Sequence, residues 1–137
     1  MIRVTLMFLA TSLTGLNIPV DLAPVALVSE GNEQAVEEVQ TPAEITKEYF
    51  ADIPVMIDVA WCESTLRHTD SNGNILRGVV NKADVGVMQI NEYYHLEDSQ
   101  ELGIDIYSIE GNLEYARHLY EKQGLKPWNS SKKCWNA

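Results

Sequence analysis

The sequence predicts a mainly α-helical domain that carries a small β-hairpin. Three features predict it: a helix-start signature at Thr41-Pro42-Ala43-Glu44, one-face apolar spacing from Ile109 to Tyr120, and an Asn72-Gly73 pair between short extended stretches.

The chain has 137 residues, 45% of them hydrophobic and 22% charged, enough apolar material for one core and too little length for a second domain. Its net charge of −10 is concentrated at the front, where residues 1–52 hold eight acidic and two basic side chains. Lys and Arg form no stripe, which argues against a nucleic-acid partner because phosphate binding needs clustered cations.

Met1-Ile2-Arg3 precedes an apolar run from Val4 to Leu16, interrupted by small polar residues and then by Pro19. Residues 1–28 therefore read as a signal peptide or an uncleaved anchor, the alternative being a buried N-terminal element. The run is short and polar for a membrane span, so membrane attachment is expected only through such an anchor. Residues 29–40 are mostly Glu, Gln, Ser, Asn and Gly with isolated valines. They lack the apolar surface to order themselves and read as an acidic linker.

The folded domain is expected over residues 41–137. Thr41 is the N-cap of a first helix, with Pro42 at its first position and Glu44 reaching back. That helix ends near Phe50, because Pro54 disfavours a helical residue before it. Asp52 is the expected cap of a second helix, from about Ile53 to Leu66, apolar over most of its circumference. The Asn72-Gly73 turn places the hairpin between His68 and Gly78. Residues 84–91 are too short a block to classify by periodicity. A short helix from about Leu96 to Leu102 stops at Gly103. A longer one from about Ile109 to Gln123 has Ser108 as N-cap, Glu110 in its first turn and Gly124 after its end.

Glu63 is the oddest placement in the chain. It follows Met56, Val59 and Ala60 by seven, four and three residues, so its carboxylate projects from the same face as apolar neighbours. Burial disfavours the charged form of a carboxyl, which is how a Glu keeps a proton to donate. The plainer reading is a helix-end Glu that pairs with Arg67. Cys62 and Cys134 lie far apart and outside any Cys-x-x-Cys pair. They join if the protein is exported and stay free thiols if it is cytosolic. His68, His95 and His118 are too scattered for a metal site, and no cofactor is expected. Ser64 lacks a Gly-x-Ser-x-Gly elbow, which argues against a serine hydrolase. Trp61, Trp128, Trp135, Tyr93, Tyr94, Tyr115 and Tyr120 could stack on sugar rings, though most such aromatics are core, and at most two are expected in a cleft.

Ala60-Trp61-Cys62-Glu63-Ser64, Gly86-Val87-Met88-Gln89-Ile90-Asn91 and Gly111-Asn112-Leu113, in this order and spacing, resemble the soluble lytic transglycosylase domain of the lysozyme-like superfamily. The resemblance spans about Ile53 to Gly124. It implies a lysozyme-like, mainly α-helical fold and an exported enzyme, periplasmic or extracellular, acting on the glycan strands of peptidoglycan. By the same resemblance Glu63 is the catalytic acid and later base, Gln89 with the backbone from Gly86 to Met88 positions the sugar, and Ser64 is a further substrate-binding residue. Asn112 is expected to be structural. The chain departs from the family near its end. There the usual Tyr-Asn-x-Gly segment is replaced by Trp128-Asn129-Ser130-Ser131-Lys132-Lys133-Cys134-Trp135, leaving Ser130 or Ser131 as the available hydroxyl.

Lytic transglycosylases work with one carboxylate and yield a 1,6-anhydromuramic end. A hydrolytic lysozyme needs a second, for which Asp84 is the leading candidate if it is not a turn or capping residue, and Asp70 the other. A third reading is a non-catalytic peptidoglycan-binding protein that keeps the fold.

Overall fold

The structure is a computed structural model that describes residues 39–137. The expected signal or anchor at 1–28, and the linker as far as residue 38, lie outside the described residues. The rest is mainly α-helical with one small antiparallel sheet: α1 (Pro42–Tyr49), α2 (Pro54–Ser64), β1 (Asp84–Val85), β2 (Ile90–Asn91), α3 (Glu92–Glu101), α4 (Ile109–Gln123), a 3₁₀ segment (Lys126–Ser131) and α5 (Lys132–Trp135).

Helix α1 begins as its sequence dictates. Thr41 Oγ1 accepts the Glu44 N–H, and the Glu44 carboxylate accepts the Thr41 N–H at 2.7 Å. Helix α2 differs from expectation at both ends. Its N-cap is Ile53, not Asp52, and no side chain caps it. Asp52 is instead claimed by Arg117 of α4, whose guanidinium donates to both its oxygens at 2.8 Å, a fork geometry that a lone backbone N–H cannot rival. At the other end the helix stops two residues early, because Thr65 and Leu66 adopt left-handed backbone with φ of 55° and 59°. Each such residue costs about 1–2 kcal/mol. Leu66 is buried against the core, which offsets part of that cost and turns the chain sharply just after Glu63.

The hairpin also lies elsewhere. Asn72-Gly73 does form a turn, with Gly73 at φ 81° and the Asp70 carboxylate accepting the N–H groups of Asn72 and Asn74. Only a single bridge, Thr69 to Ile75, closes it. The paired strands are β1 and β2, in the block whose periodicity was uninformative, with Asp84 opposite Asn91 and Val85 opposite Ile90. The Gly86–Gln89 loop between them turns on Gly86 at φ 72° and Gln89 at φ 51°.

Helix α3 starts at Glu92, four residues ahead of the expected start, because tertiary partners anchor its first residue. The Glu92 carboxylate takes Arg77 Nη1 at 2.5 Å and the Tyr107 hydroxyl at 2.8 Å. Gly103 follows its C-cap at φ 73°, and α4 matches its expected span, with Ser108 Oγ accepting the Gly111 N–H at 3.0 Å. Met56, Val59 and Ala60 of α2 pack with Leu113 and Ala116 of α4 and the Val87-Met88 loop into one core. Helix α2 also packs on α1, α5 and the 3₁₀ segment. The core thus holds the last turn of α2 against the C-terminal segment.

Candidate active site

Glu63 sits on the last turn of α2, half-buried, in the wall of a cavity of about 280 Å³. Asp84 of β1, Gln89 of the loop, Tyr94 and His95 of α3, and Trp128 and Ser130 of the 3₁₀ segment share that wall. Arg67, the partner of Glu63 in the plainer reading, donates instead to the Ser64 carbonyl at 3.2 Å and to Thr65 Oγ1 at 3.1 Å. Burial pushes the Glu63 carboxyl above the usual carboxylate range. A hydrogen bond from Ser131 pulls it back in part, and the nearby Asp84 charge pushes it up again.

The Cys62–Cys134 disulfide is formed, with Cα atoms 5.9 Å apart. It ties the residue before Glu63 to α5, and three residues upstream of Cys134 the Ser131 hydroxyl donates to Glu63 Oε1 at 2.6 Å. Of the two candidate hydroxyls, Ser131 meets the carboxyl and Ser130 meets the cavity.

Asp84 and Gln89 line the cavity, and the side chains of Ser64 and Met88 and the Gly86 Cα do not. Ser64 is buried and donates back to the Ala60 carbonyl at 3.1 Å, an intrahelical bond open to any late-helix serine. The Met88 side chain is fully buried in the core, where its apolar surface gains most. Gly86 is a packing position, because a Cβ there would lie 2.6 Å from Asn112 Nδ2. The backbone of this loop holds two lining side chains, the Gly86 carbonyl accepting Gln89 Nε2 at 2.8 Å and the Met88 carbonyl accepting Trp128 Nε1 at 3.0 Å. Asn112 holds the loop, accepting the Met88 N–H at 2.9 Å and donating to the carbonyls of Val85 and Ile106. His68 supports the same loop, its Nδ1 accepting the Val87 N–H at 3.3 Å.

Asp84 Oδ1 accepts from Asn91 Nδ2 at 2.6 Å and from Asn81 Nδ2 at 3.3 Å, so its orientation is set by two amides. The cost falls on Asn91, whose Oδ1 is left buried and unpartnered. Of the seven aromatics considered for stacking, Tyr94 and Trp128 line the cavity. Trp61 and Tyr93 are exposed outside it, and Tyr115 is core.

His95, weighed in the sequence only as one of three scattered histidines, and Asn91, the last residue of the Gly86–Asn91 block, also line the cavity. His95 Nδ1 lies 3.3 Å from the buried Tyr115 hydroxyl, and burial holds the imidazole below its ordinary proton affinity. His95 lies in the first turn of α3, ahead of the expected helix start at Leu96, so no helical spacing pointed it at the site. A polar residue shortly after the Gly-Val-Met-Gln block was the only available signal.

Among the described residues, no group of three or more His, Cys, Asp or Glu is placed to hold a metal ion. No family model matches the chain, and neither the curated proteins nor the solved structures give a match.

Proposed function

We propose that this chain is an exported peptidoglycan lytic transglycosylase of lysozyme-like fold. It cuts the β-1,4 bond between N-acetylmuramic acid and N-acetylglucosamine. The observation that carries the reading is the environment of Glu63, a half-buried carboxyl with raised proton affinity in the wall of a cavity that also offers amide, imidazole and aromatic groups. Sugars are bound by that mixture of polar edges and flat apolar faces.

In this mechanism protonated Glu63 gives its proton to the bridging oxygen as the C1–O4 bond breaks, the electron pair leaving with O4. The muramic C6 hydroxyl then attacks C1 and passes its proton to the Glu63 carboxylate. The ring closes as a 1,6-anhydro product, the acid is restored, and no water is consumed. Glu63 must alternate between both protonation states, which suits a group shifted toward neutrality. The Gln89 side chain, with Nε2 held by the Gly86 carbonyl at 2.8 Å, presents its amide to the bound sugar.

Export is supported by the disulfide, since such bonds persist in oxidising compartments. Among the described residues no helix is long and apolar enough to cross a membrane.

One observation favours a hydrolytic muramidase as the second reading: Asp84 lines the same cavity as Glu63 and could activate a water. Mass spectrometry of muropeptides released from purified sacculi separates the two. Anhydro ends are expected, reducing ends would assign the hydrolase, and no soluble product would leave only glycan binding.

A further inference from the structure

The Ser131 hydroxyl is placed between two acceptors with one hydrogen to give. Glu63 Oε1 lies 2.6 Å from its oxygen and the Trp128 carbonyl 3.1 Å. The shorter contact has the length of a hydroxyl bound to an ionised carboxylate, and such charge-assisted bonds are about twice as strong as neutral ones. The hydrogen therefore goes to Glu63 whenever that group is charged. The Trp128 carbonyl keeps a donor in that case, because Trp135 Nε1 reaches it at 3.0 Å.

From this geometry we infer that Ser131 is a positioning residue for Glu63, holding Oε1 so that the other carboxyl oxygen carries the proton to be transferred. The inference rests on Glu63 being the acid of the proposed reaction. Its physical basis is differential. A hydroxyl aimed at Oε1 binds the carboxylate more strongly than the neutral acid, so the bond tightens as Glu63 releases its proton and relaxes as the proton returns. The same contact keeps a buried carboxyl from holding its proton too firmly to donate it.

The hydroxyl is also held in place. It ends the 3₁₀ segment, and α5, which begins at the next residue, is bonded to α2 through Cys134 and Cys62. That staple fastens the residue beside Glu63 to a point three residues beyond Ser131, so neither partner can drift from the other.

Asp84 of β1 and Tyr94 and His95 of α3 share the cavity of Glu63. Lys126, Lys132 and Lys133 of the C-terminal segment are exposed, as are Glu44, Lys47 and Glu48 of α1, which packs on α2. Asp84 raises the proton affinity of Glu63 and Ser131 lowers it.

The test is titration of Glu63 by carbon NMR in the full chain, read beside turnover on sacculi, for wild type, Ser131→Ala, Ser131→Gly and Ser131→Thr. Loss of the hydroxyl should move the Glu63 titration to higher pH in both truncated variants. Turnover should fall about tenfold or more with KM little changed, the size expected for one charge-assisted bond. Ser131→Thr should restore both. Either folded truncated variant suffices, and a Glu63 titration unchanged by losing the hydroxyl overturns the inference. Absence of product from wild-type protein would instead count against the proposed reaction, while the titration still decides whether Ser131 acts on Glu63.

Discussion

Asn112 Oδ1 accepts the Met88 N–H at 2.9 Å, so a side chain buried on α4 terminates a loop 24 residues earlier in the chain. Through its Nδ2 the same amide also serves the Val85 and Ile106 carbonyls. Asn112→Ala strands three buried backbone groups, each worth roughly 1–3 kcal/mol, with partial compensation by water and relaxation. We expect a loss of about 2–4 kcal/mol in chemical denaturation. A loss under about 1 kcal/mol would show that the loop is held by something else.

Gly86 and Gly73 share a left-handed backbone but not an environment. At Gly86 a Cβ would meet Asn112 and His68 within 3 Å, whereas at Gly73 nothing lies within 4 Å. Gly73→Ala should cost about 1–2 kcal/mol, from backbone strain alone. Gly86→Ala should cost more than about 3 kcal/mol or prevent folding, because strain and overlap add. Similar midpoints for the two variants in urea would contradict the tight contact at Gly86.

Glu63→Gln should keep the fold and lower turnover on peptidoglycan about 10²-fold to 10⁴-fold, the usual contribution of a positioned acid. Retained clearing of sacculi would remove Glu63 from the chemistry.

The same variant yields a stability test. In the folded chain the Glu63 carboxyl holds its proton more tightly than in the unfolded chain, first because it is buried. The native state is therefore favoured while the group is protonated, below its unfolded value of about 4.3, and loses that advantage as pH rises through the higher folded value. Glu63→Gln, neutral throughout, should be the more stable protein near pH 7. The difference should shrink as pH falls. His68 and His95 are shared by both proteins and cancel in the comparison. A Tm difference that grows toward acid pH would reverse the assigned direction.

Replacing Cys62 and Cys134 together by Ala opens a loop with a sequence separation of 72, for which chain entropy gives a loss of about 4 kcal/mol, less any native strain released. Denaturation of the two proteins under non-reducing conditions measures it. Equal stability would mean that packing of α5 alone closes the C-terminal segment.

Local signals fixed those parts of the fold whose partners are near in the chain. The Thr41–Glu44 cap, the Ser108 cap and the ends of α3 and α4 could be read directly, because the groups that satisfy those backbone donors lie within a few residues. Glu63 stood out for a similar reason, its helical spacing to Val59 and Ala60 forecasting a half-buried carboxyl. What the sequence alone could not decide was which distant group would outcompete a local one. Arg117 took Asp52 from α2, Arg77 and Tyr107 drew the start of α3 back to Glu92, and strand pairing went to Asp84–Asn91 rather than to the Asn72-Gly73 turn. Nor could it separate Ser130 from Ser131, or show that Met88 and Gly86 face the core. Those outcomes depend on distances across the packed domain, where a charge-assisted bond or a buried amide outweighs the preference of any single stretch of chain.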